Sequence, residues 1–190
     1  MADRALPAGR GDLTRARILA AARRRFAVDG YERATIRAIA ADAGIDPALV
    51  MRYYGDKASL FTSAAEFDLR MPDLRAVPRK AVGAALVEHF LNRWEGDDVL
   101  KALLRTAATH AAAAEQLRDI FQKQIRPAIA ALCGDGQGAS TRAGLVASQM
   151  IGFALCRYVI KLPPVAGMRR AEVIEWLGPT IQRYIGGEKR

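Results

Sequence analysis

The chain has 190 residues, about half of them apolar, with a net charge of +9 and an isoelectric point of about 10.1. This length and apolar content exclude an intrinsically disordered chain and suffice for one compact domain or two small ones. The only cysteines, Cys133 and Cys156, exclude a disulfide scaffold and indicate a reduced compartment. The basic balance favours a polyanionic partner, nucleic acid above all, although a merely soluble basic protein has the same composition.

The apolar residues follow a helical period along the whole chain, without strand alternation, so the predicted fold class is all-α. No uninterrupted apolar run approaches the roughly 18–20 residues of a membrane span. The N-terminal residues also lack the apolar core of a signal peptide. We therefore expect a cytoplasmic protein that does not contact a membrane. Residues 1–12, which include one proline and two glycines, are predicted to form a flexible N-terminal arm.

The first predicted helix begins near Thr14, a residue type that caps free backbone N–H groups. Ile18, Ala22 and Phe26 follow at four-residue intervals and share one apolar face. Gly30 is the expected end, because a left-handed backbone is cheap for glycine.

The next two helices carry the pattern of a helix-turn-helix. Thr35 is the predicted cap of the second helix, and the small side chain of Ala40 allows the third helix to approach closely. Gly44 permits the turn, Pro47 suits the first position of the third helix, and Val50 fills the angle between the two. The N-terminal part of the second helix of such a motif enters the major groove of DNA.

The third helix presents four side chains away from Val50, namely Ala48, Leu49, Met51 and Arg52. Arg52 is predicted to contact a guanine edge or a phosphate, the alternative being a solvated surface arginine. Lys57 begins a fourth helix, predicted over residues 57–69, where its charge opposes the helix dipole unless a phosphate binds there. The alternative is that Asp56 simply offsets this charge.

Residues 35–60, with the sequence TIRAIAADAGIDPALVMRYYGDKASL, resemble the DNA-binding region of TetR-type transcriptional regulators. The resemblance covers residues 14–61 and includes Ile18, Phe26 and Gly30 of the first helix. The rest of the chain resembles the family only in its length and helical character.

The resemblance implies roles for individual residues. Thr35 and Arg37 would contact phosphate at the start of the second helix, and Tyr53 and Lys57 would hold the DNA backbone. Tyr54 would be a core aromatic. Three positions depart from the family pattern and leave the operator sequence open: Met51 replaces a frequent aromatic residue, Arg52 a frequent histidine, and Leu49 a small hydroxyl residue.

Prolines at 72 and 78 mark a break in the helical pattern. The sequence predicts a DNA-binding domain over residues 13–56 and a helical ligand-binding and dimerisation domain over residues 57–190. Helices are predicted in the second domain near residues 79–95, 97–109, 111–132, 141–161 and 170–185. The helix at 141–161 is apolar almost all round, as expected of a helix covered on both sides. With the apolar residues of the last helix, it is predicted to form a self-complementary dimer face. Those residues are Val173, Trp176, Leu177, Ile181, Tyr184 and Ile185. The alternative is ordinary monomer core.

The resemblance also implies a small apolar or amphipathic effector. The candidate pocket residues are Phe67, Leu86, Phe90, Trp94, Leu103, His110, Leu117, Phe121, Met150 and Phe153. A stripe of such residues is more often plain core. His110 is the best polar candidate among them, the alternative being a satisfied core histidine.

No enzymatic activity, metal or cofactor is predicted, because the chain has only two histidines, no cysteine spacing that suits a metal and no phosphate-binding glycine loop. The predicted function is that of a ligand-responsive repressor that binds a double-stranded palindromic operator as a homodimer. The alternative is a helical ligand-binding or scaffold protein without DNA binding.

Overall fold

The computed structural model describes residues 10–64, 68–133 and 138–186, and all regular secondary structure in these ranges is helical. This confirms the predicted all-α class. The chain divides into two compact units, Met1–Glu66 and Phe67–Arg190, called here the first and second units. The boundary lies beyond the one predicted after residue 56, because the fourth helix packs against the first helix.

The described residues of the first unit form four helices: α1 (Arg10–Arg33), α2 (Ile36–Ala43), α3 (Pro47–Tyr54) and α4 (Lys57–Ala64). α1 begins before the predicted cap Thr14, so residues 10–12 are helical and do not belong to an arm. The remainder of the predicted arm, residues 1–9, lies outside the described residues. Gly30, with φ of 73°, interrupts the helical backbone of α1 where the sequence predicted its end.

Local capping explains the short helices α2 and α3. Thr35 accepts a hydrogen bond from the Ala38 N–H at 3.1 Å, and Asp46 accepts one from the Ala48 N–H at 2.7 Å. Between the two helices Gly44 is left-handed, with φ of 62°. The turn that separates α2 from α3 is therefore specified by the residues within it.

The core of the first unit is centred on an edge-to-face pair of rings, Phe26 of α1 and Phe61 of α4, whose centroids are 4.9 Å apart. Both side chains are almost completely buried. α4 ends at Ala64, and residues 68–70 are not helical, so the predicted helix to residue 69 is wrong at its end. The physical reason is tertiary: the backbone of Leu69 bonds to the side chains of His89 and Gln124 instead of continuing a helix.

The second unit is a bundle of helices with short irregular turns. Its α-helices are α5 (Val82–Glu95), α6 (Asp98–Ala107), α7 (Ala111–Ile120), α8 (Arg126–Cys133), α9 (Ala139–Ala154), α10 (Pro163–Ala166) and α11 (Arg170–Gly186). Single 3₁₀ turns lie at Leu74–Ala76 and Arg79–Ala81. π-helical segments at Phe121–Ile125 and Leu155–Ile160 continue α7 and α9.

α5 and α11 form the closest helix pair of the second unit. Their crossing brings Gly83 against the backbone of Gly178, and both glycines are buried. The side chain of Gln182 accepts a hydrogen bond from the Gly83 N–H at 2.8 Å and donates one to the Arg79 carbonyl at 3.0 Å. α5 has no side-chain cap of its own, so α11 supplies it.

α9 and its π-helical continuation are long and apolar. Ala139–Ile160 contains an 18-residue window with a mean hydropathy of 1.5 and meets the length and composition of a membrane span, contrary to the sequence-based expectation that no segment does so. Scattered glycine and hydroxyl residues interrupt the apolar residues of this segment, so the sequence shows no long uninterrupted apolar run there. Because α9 packs on α8 and α11, it is a helix of the bundle, yet only 33% of this apolar window is buried.

Candidate nucleic-acid interface and effector cavity

The helix-turn-helix of the first unit has the close packing that its sequence predicts. Ala40 and Val50 are completely buried where α2 meets α3. The Ile45 N–H donates to the Ala40 carbonyl at 2.9 Å, and Arg17 of α1 donates to the Ala43 carbonyl at 2.7 Å. These bonds satisfy the last carbonyl groups of α2 and hold the turn against α1.

The opposite side of α3 is open to solvent. Ala48, Met51 and Arg52 are exposed and, at spacings of three and four residues, share one face, called here the recognition face. Leu49 is half-buried beside it. Of the side chains predicted to read DNA on α3, the structure thus brings three together on one surface, with Leu49 at its edge.

The start of α2 offers phosphate ligands. Thr35 is exposed, and its hydroxyl oxygen already accepts from the Ala38 N–H, which leaves the hydroxyl proton for an outside acceptor. Arg37 is exposed in the first turn of the same helix. A helix N-terminus with a hydroxyl and a guanidinium beside it suits an anion.

Tyr53 connects α3 to the N-terminal part of α1. The Arg15 guanidinium lies 5.5 Å from the centroid of the Tyr53 ring, and the Tyr53 hydroxyl is close to Gly11. Tyr54 is half-buried, and its hydroxyl donates a hydrogen bond to the Arg15 carbonyl at 3.5 Å. Desolvation raises the pKa of the Tyr54 hydroxyl above its usual value. Sequence reasoning missed Arg15 as a neighbour of Tyr53, because the two residues lie on different helices, far apart in the chain.

Lys57 has partners inside the first unit. Its Nζ donates to the Glu32 carbonyl at 3.0 Å and lies 4.5 Å from the centroid of the Tyr31 ring. Asp56 caps α4 by accepting from the Ser59 N–H, and this backbone hydrogen bond lowers the pKa of Asp56. Asp56 thus lies at the positive end of α4, directly before Lys57 in the chain, as the alternative to phosphate binding expects.

An ion pair braces α2 against α1. The Arg25 guanidinium donates to both carboxylate oxygens of Asp42, one of them at 2.8 Å, and lies 3.4 Å from Asp29 one turn away. These hydrogen bonds lower the pKa of Asp42 and raise that of Arg25. Because the pair is solvent-exposed, it orients α2 more than it stabilises the unit.

The second unit contains a cavity of about 90 Å³ between its helices. Six predicted pocket residues line it: Leu86, Phe90, Trp94, Leu117, Phe121 and Met150. Leu103 and Phe153 are not lining residues but are buried in the core. His110 is also absent from the wall, because it stands at the N-cap position of α7. Phe67 lies outside the described residues.

Sequence reasoning missed the polar part of this wall. His89 and Arg93 of α5 line the cavity, one turn apart, on the same helix face as Leu86 and Phe90. The helical spacing of His89 and Arg93 relative to Leu86 and Phe90 was the sequence signal that could have placed them on the cavity wall. No cluster of three or more potential metal ligands occurs in the described parts of the chain.

α2 and α3 are two short helices joined by a turn at Gly44, and α3 has an exposed recognition face. This arrangement is typical of a helix-turn-helix DNA-binding transcriptional regulator. Family models agree with this class. Residues 18–64 match the model of bacterial regulatory proteins of the tetR family, and residues 81–185 match that of the tetracyclin repressor-like C-terminal domain. The chain belongs to the TetR family, whose members are transcription factors.

Solved structures with the same fold span almost the whole chain. A TetR-family regulator from Streptomyces coelicolor is 30% identical, with a TM-score of 0.59 over 94% of this chain and 99% of that chain. A transcriptional regulator from Rhodococcus is 24% identical, with a TM-score of 0.65 over 91% and 94% of the two chains. A regulator from Mesorhizobium loti has a TM-score of 0.66 at 13% identity, covers 95% and 98%, and shows the fold alone. A comparison with curated protein sequences found no significant match.

Proposed function

We propose that the protein is a ligand-responsive repressor that acts in the cytoplasm as a homodimer on a palindromic operator. The recognition face carries this proposal, because Ala48, Met51 and Arg52 are open to solvent while Val50 behind them fixes α3 to the core. In this motif such a face enters the major groove and contacts base edges. The two apolar side chains suit thymine methyl groups, and Arg52 suits a guanine.

The residues around the recognition face support phosphate contacts that set its register. The Thr35 hydroxyl and Arg37 lie at the start of α2, and the Tyr53 hydroxyl lies near the end of α3. Arg15, over the Tyr53 ring, adds a cation to this group. Lys57 would join them by exchanging the Glu32 carbonyl for a phosphate oxygen, a stronger acceptor because it is charged.

The outer side of α9 supports the homodimer. Leu145 is 42% exposed, and Trp176 of α11 is 71% exposed. Gly144, Ser148 and Gly152 allow another helix to approach α9 closely, as the ideal Cβ positions of both glycines meet nothing within 4 Å. Four residues predicted for this face do not contribute to it, since Val173, Leu177, Ile181 and Ile185 are buried within one copy.

We assign a second copy of the chain to this face, because Leu145 of α9 and Trp176 of α11 are large apolar side chains that one copy leaves exposed. In a symmetric dimer, each chain would cover this exposed apolar surface of its partner with the same surface of its own. Two recognition helices would then meet successive major grooves about 34–36 Å apart.

The cavity of the second unit supports effector binding. An apolar cavity with few polar groups is the usual form of a small-molecule site. Filling it would favour an arrangement of the dimer in which the two recognition helices no longer match successive grooves, and DNA would be released.

Fluorescence anisotropy with the duplex upstream of the gene, against a scrambled duplex, tests DNA binding. We expect preference for the upstream duplex, a steep loss with salt, and a loss of about 1–3 kcal/mol for Arg52→Ala. The matched control is Arg118→Ala, which removes an exposed arginine paired with Glu115 on α7. Weak, salt-insensitive and equal binding to all duplexes, including a pool of random sequences, would contradict the proposal and favour the ligand-binding or scaffold alternative.

Size-exclusion chromatography with light scattering tests the dimer. Wild type is expected at twice the mass of the chain, and Trp176→Glu is expected to shift it toward the monomer, because a buried unpaired charge at the face is costly. Glu175→Gln, next to it in α11 and exposed, is the control. A wild-type monomer at micromolar concentration would contradict the homodimer.

A further inference from the structure

The cavity of the second unit has one charged corner. Its wall is apolar over most of its extent, formed by side chains such as Leu86, Phe90 and Met150, and its polar side chains include His89 and Arg93 of α5. Arg93 lines the cavity and its side chain is 24% exposed, so this side chain spans from the cavity wall toward the protein surface. A bound molecule would therefore have its apolar part inside and its polar end beside Arg93.

The guanidinium of Arg93 is incompletely paired. One Nη donates to the Asp68 carbonyl at 3.2 Å, and the same nitrogen forms an ion pair with Asp97 at 3.7 Å, a distance too long for a hydrogen bond. The other oxygen of Asp97 already accepts from the Val99 and Leu100 N–H groups at the start of α6. Arg93 Nε is buried and has no hydrogen-bond acceptor among the described residues. A buried donor in this state favours an additional acceptor.

The neighbouring histidine does not neutralise this corner. His89 Nε2 lies 2.9 Å from the Leu69 carbonyl, and because a carbonyl only accepts, Nε2 carries the proton. Nδ1 is then left for another partner. The corner thus combines a guanidinium that is paired with Asp97 but has an unsatisfied Nε with an imidazole bound, among the described residues, through its Nε2.

We infer that the effector is a compact organic carboxylate, with its apolar body in the cavity and its carboxylate bound by Arg93. This inference rests on the proposed ligand-responsive function and names the chemical class of its ligand. A planar guanidinium binds a carboxylate through charge-assisted hydrogen bonds, which a neutral alcohol of the same shape does not form.

The cavity volume limits the apolar body. At about 90 Å³ it is smaller than the roughly 150 Å³ apolar cavity that accepts benzene. A chain of about four to six carbons fits with modest expansion of the wall, whereas a long acyl chain does not.

The carboxylate would compete with the protein backbone. Arg93 holds the Asp68 carbonyl, His89 holds the Leu69 carbonyl, and Gln124 accepts from the Leu69 N–H at 2.7 Å. This segment follows the last residue of α4, Ala64, by only a few positions in the chain. A ligand that takes Arg93 from Asp68 loosens the segment that leads to the first unit, which gives the effector a physical route to DNA release.

Isothermal titration calorimetry on the full chain, without DNA, tests the inference with matched pairs of probes. The probes are butanoate with 1-butanol, hexanoate with 1-hexanol, and benzoate with benzyl alcohol. We expect at least one carboxylate to bind tenfold or more tightly than its alcohol. In Arg93→Met, which keeps side-chain length, carboxylate affinity is expected to fall about tenfold to hundredfold while alcohol affinity is unchanged. Arg118→Met should leave both unchanged.

Equal affinity for carboxylate and alcohol in the wild type, or no binding of any carboxylate probe, would overturn the inference. The wild-type comparison stands even if Arg93→Met fails to fold. The anisotropy assay with the same preparation separates the two claims. DNA binding without carboxylate binding rejects only the ligand class, whereas carboxylate binding without DNA binding supports the ligand class and rejects the repressor.

Discussion

The two units are both made of helices, but their helix ends are stabilised in different ways. In the first unit, α2 and α3 are capped by the residues directly before them, Thr35 and Asp46. In the second unit, α5 begins without a side-chain cap, and Gln182, 99 residues further along the chain, accepts from its Gly83 N–H. The first unit is therefore specified mainly by neighbouring residues, and the second depends on contacts between distant ones.

The units also differ in how they fill space. The first unit has an aromatic core of Phe26, Tyr31 and Phe61 and uses its outer surface for function. The second unit leaves a cavity of about 90 Å³, which is the proposed effector site. A surface that reads DNA requires a rigid support, whereas a ligand site requires incomplete packing, so the two tasks call for opposite packing.

The largest expected effect is in the first unit. Phe26→Ala removes a completely buried ring from its core and should cost about 3–5 kcal/mol of unfolding free energy. Urea denaturation followed by circular dichroism reports both units, while the two tryptophans, Trp94 and Trp176, report only the second. We expect the ellipticity to fall at lower urea with the fluorescence midpoint unchanged.

Val28→Ala is the control for this change, since Val28 lies on the same helix and is 77% exposed. It should alter the unfolding free energy by less than about 0.5 kcal/mol. An equal shift of both spectroscopic midpoints in Phe26→Ala would show that the two units unfold together, and the proposed contrast between them would fail.

The next effect concerns the close crossing of α5 and α11. A Cβ on Gly83 would overlap the Gly178 carbonyl oxygen and lie 2.7 Å from the Gln182 backbone nitrogen. Gly83→Ala should therefore destabilise the second unit by about 1–3 kcal/mol, measured by tryptophan fluorescence in urea. Gly186→Ala, at the end of α11 with nothing within 4 Å, should be neutral or slightly stabilising. A neutral Gly83→Ala would mean that the helices separate easily.

A smaller effect is expected at the cap of α2. Thr35→Ala removes the acceptor for the Ala38 N–H and should cost about 1 kcal/mol in the first unit. Thr35→Ser keeps the hydroxyl and should retain most of this stability, as measured by circular dichroism in urea. If the alanine and serine variants were equally stable, the cap would not determine where α2 begins.

The smallest effect is the pH dependence of the Arg25–Asp42 pair. Hydrogen bonding to Arg25 lowers the pKa of Asp42 below its usual value. A carboxyl group with a lowered folded-state pKa stabilises the fold above its unfolded pKa, and this contribution disappears as the pH falls through the folded one. Asp42→Asn should thus be less stable than wild type at pH 7, and the gap should close below about pH 4. Urea midpoints across this range measure it, and a gap independent of pH would contradict the pair's role.

The fold class, the helix-turn-helix and most helices of the second unit could be predicted from sequence, because each depends on periodicity or on a cap. Gly44 and Asp46 mark the turn by their own backbone preferences. The end of α4 could not be predicted, since Leu69 is drawn out of a helix by His89 and Gln124, which are distant in the chain.

Local preferences within neighbouring residues thus determined by themselves where α2 and α3 lie and which face of α3 is exposed. Only the tertiary structure decided that Leu103 and Phe153 are core while Leu86 and Phe90 line a cavity, because all four are equally apolar and differ only in their neighbours. It also decided that Arg93 of α5 lies at that cavity with an unpaired Nε, since no sequence pattern records which acceptors surround a buried donor.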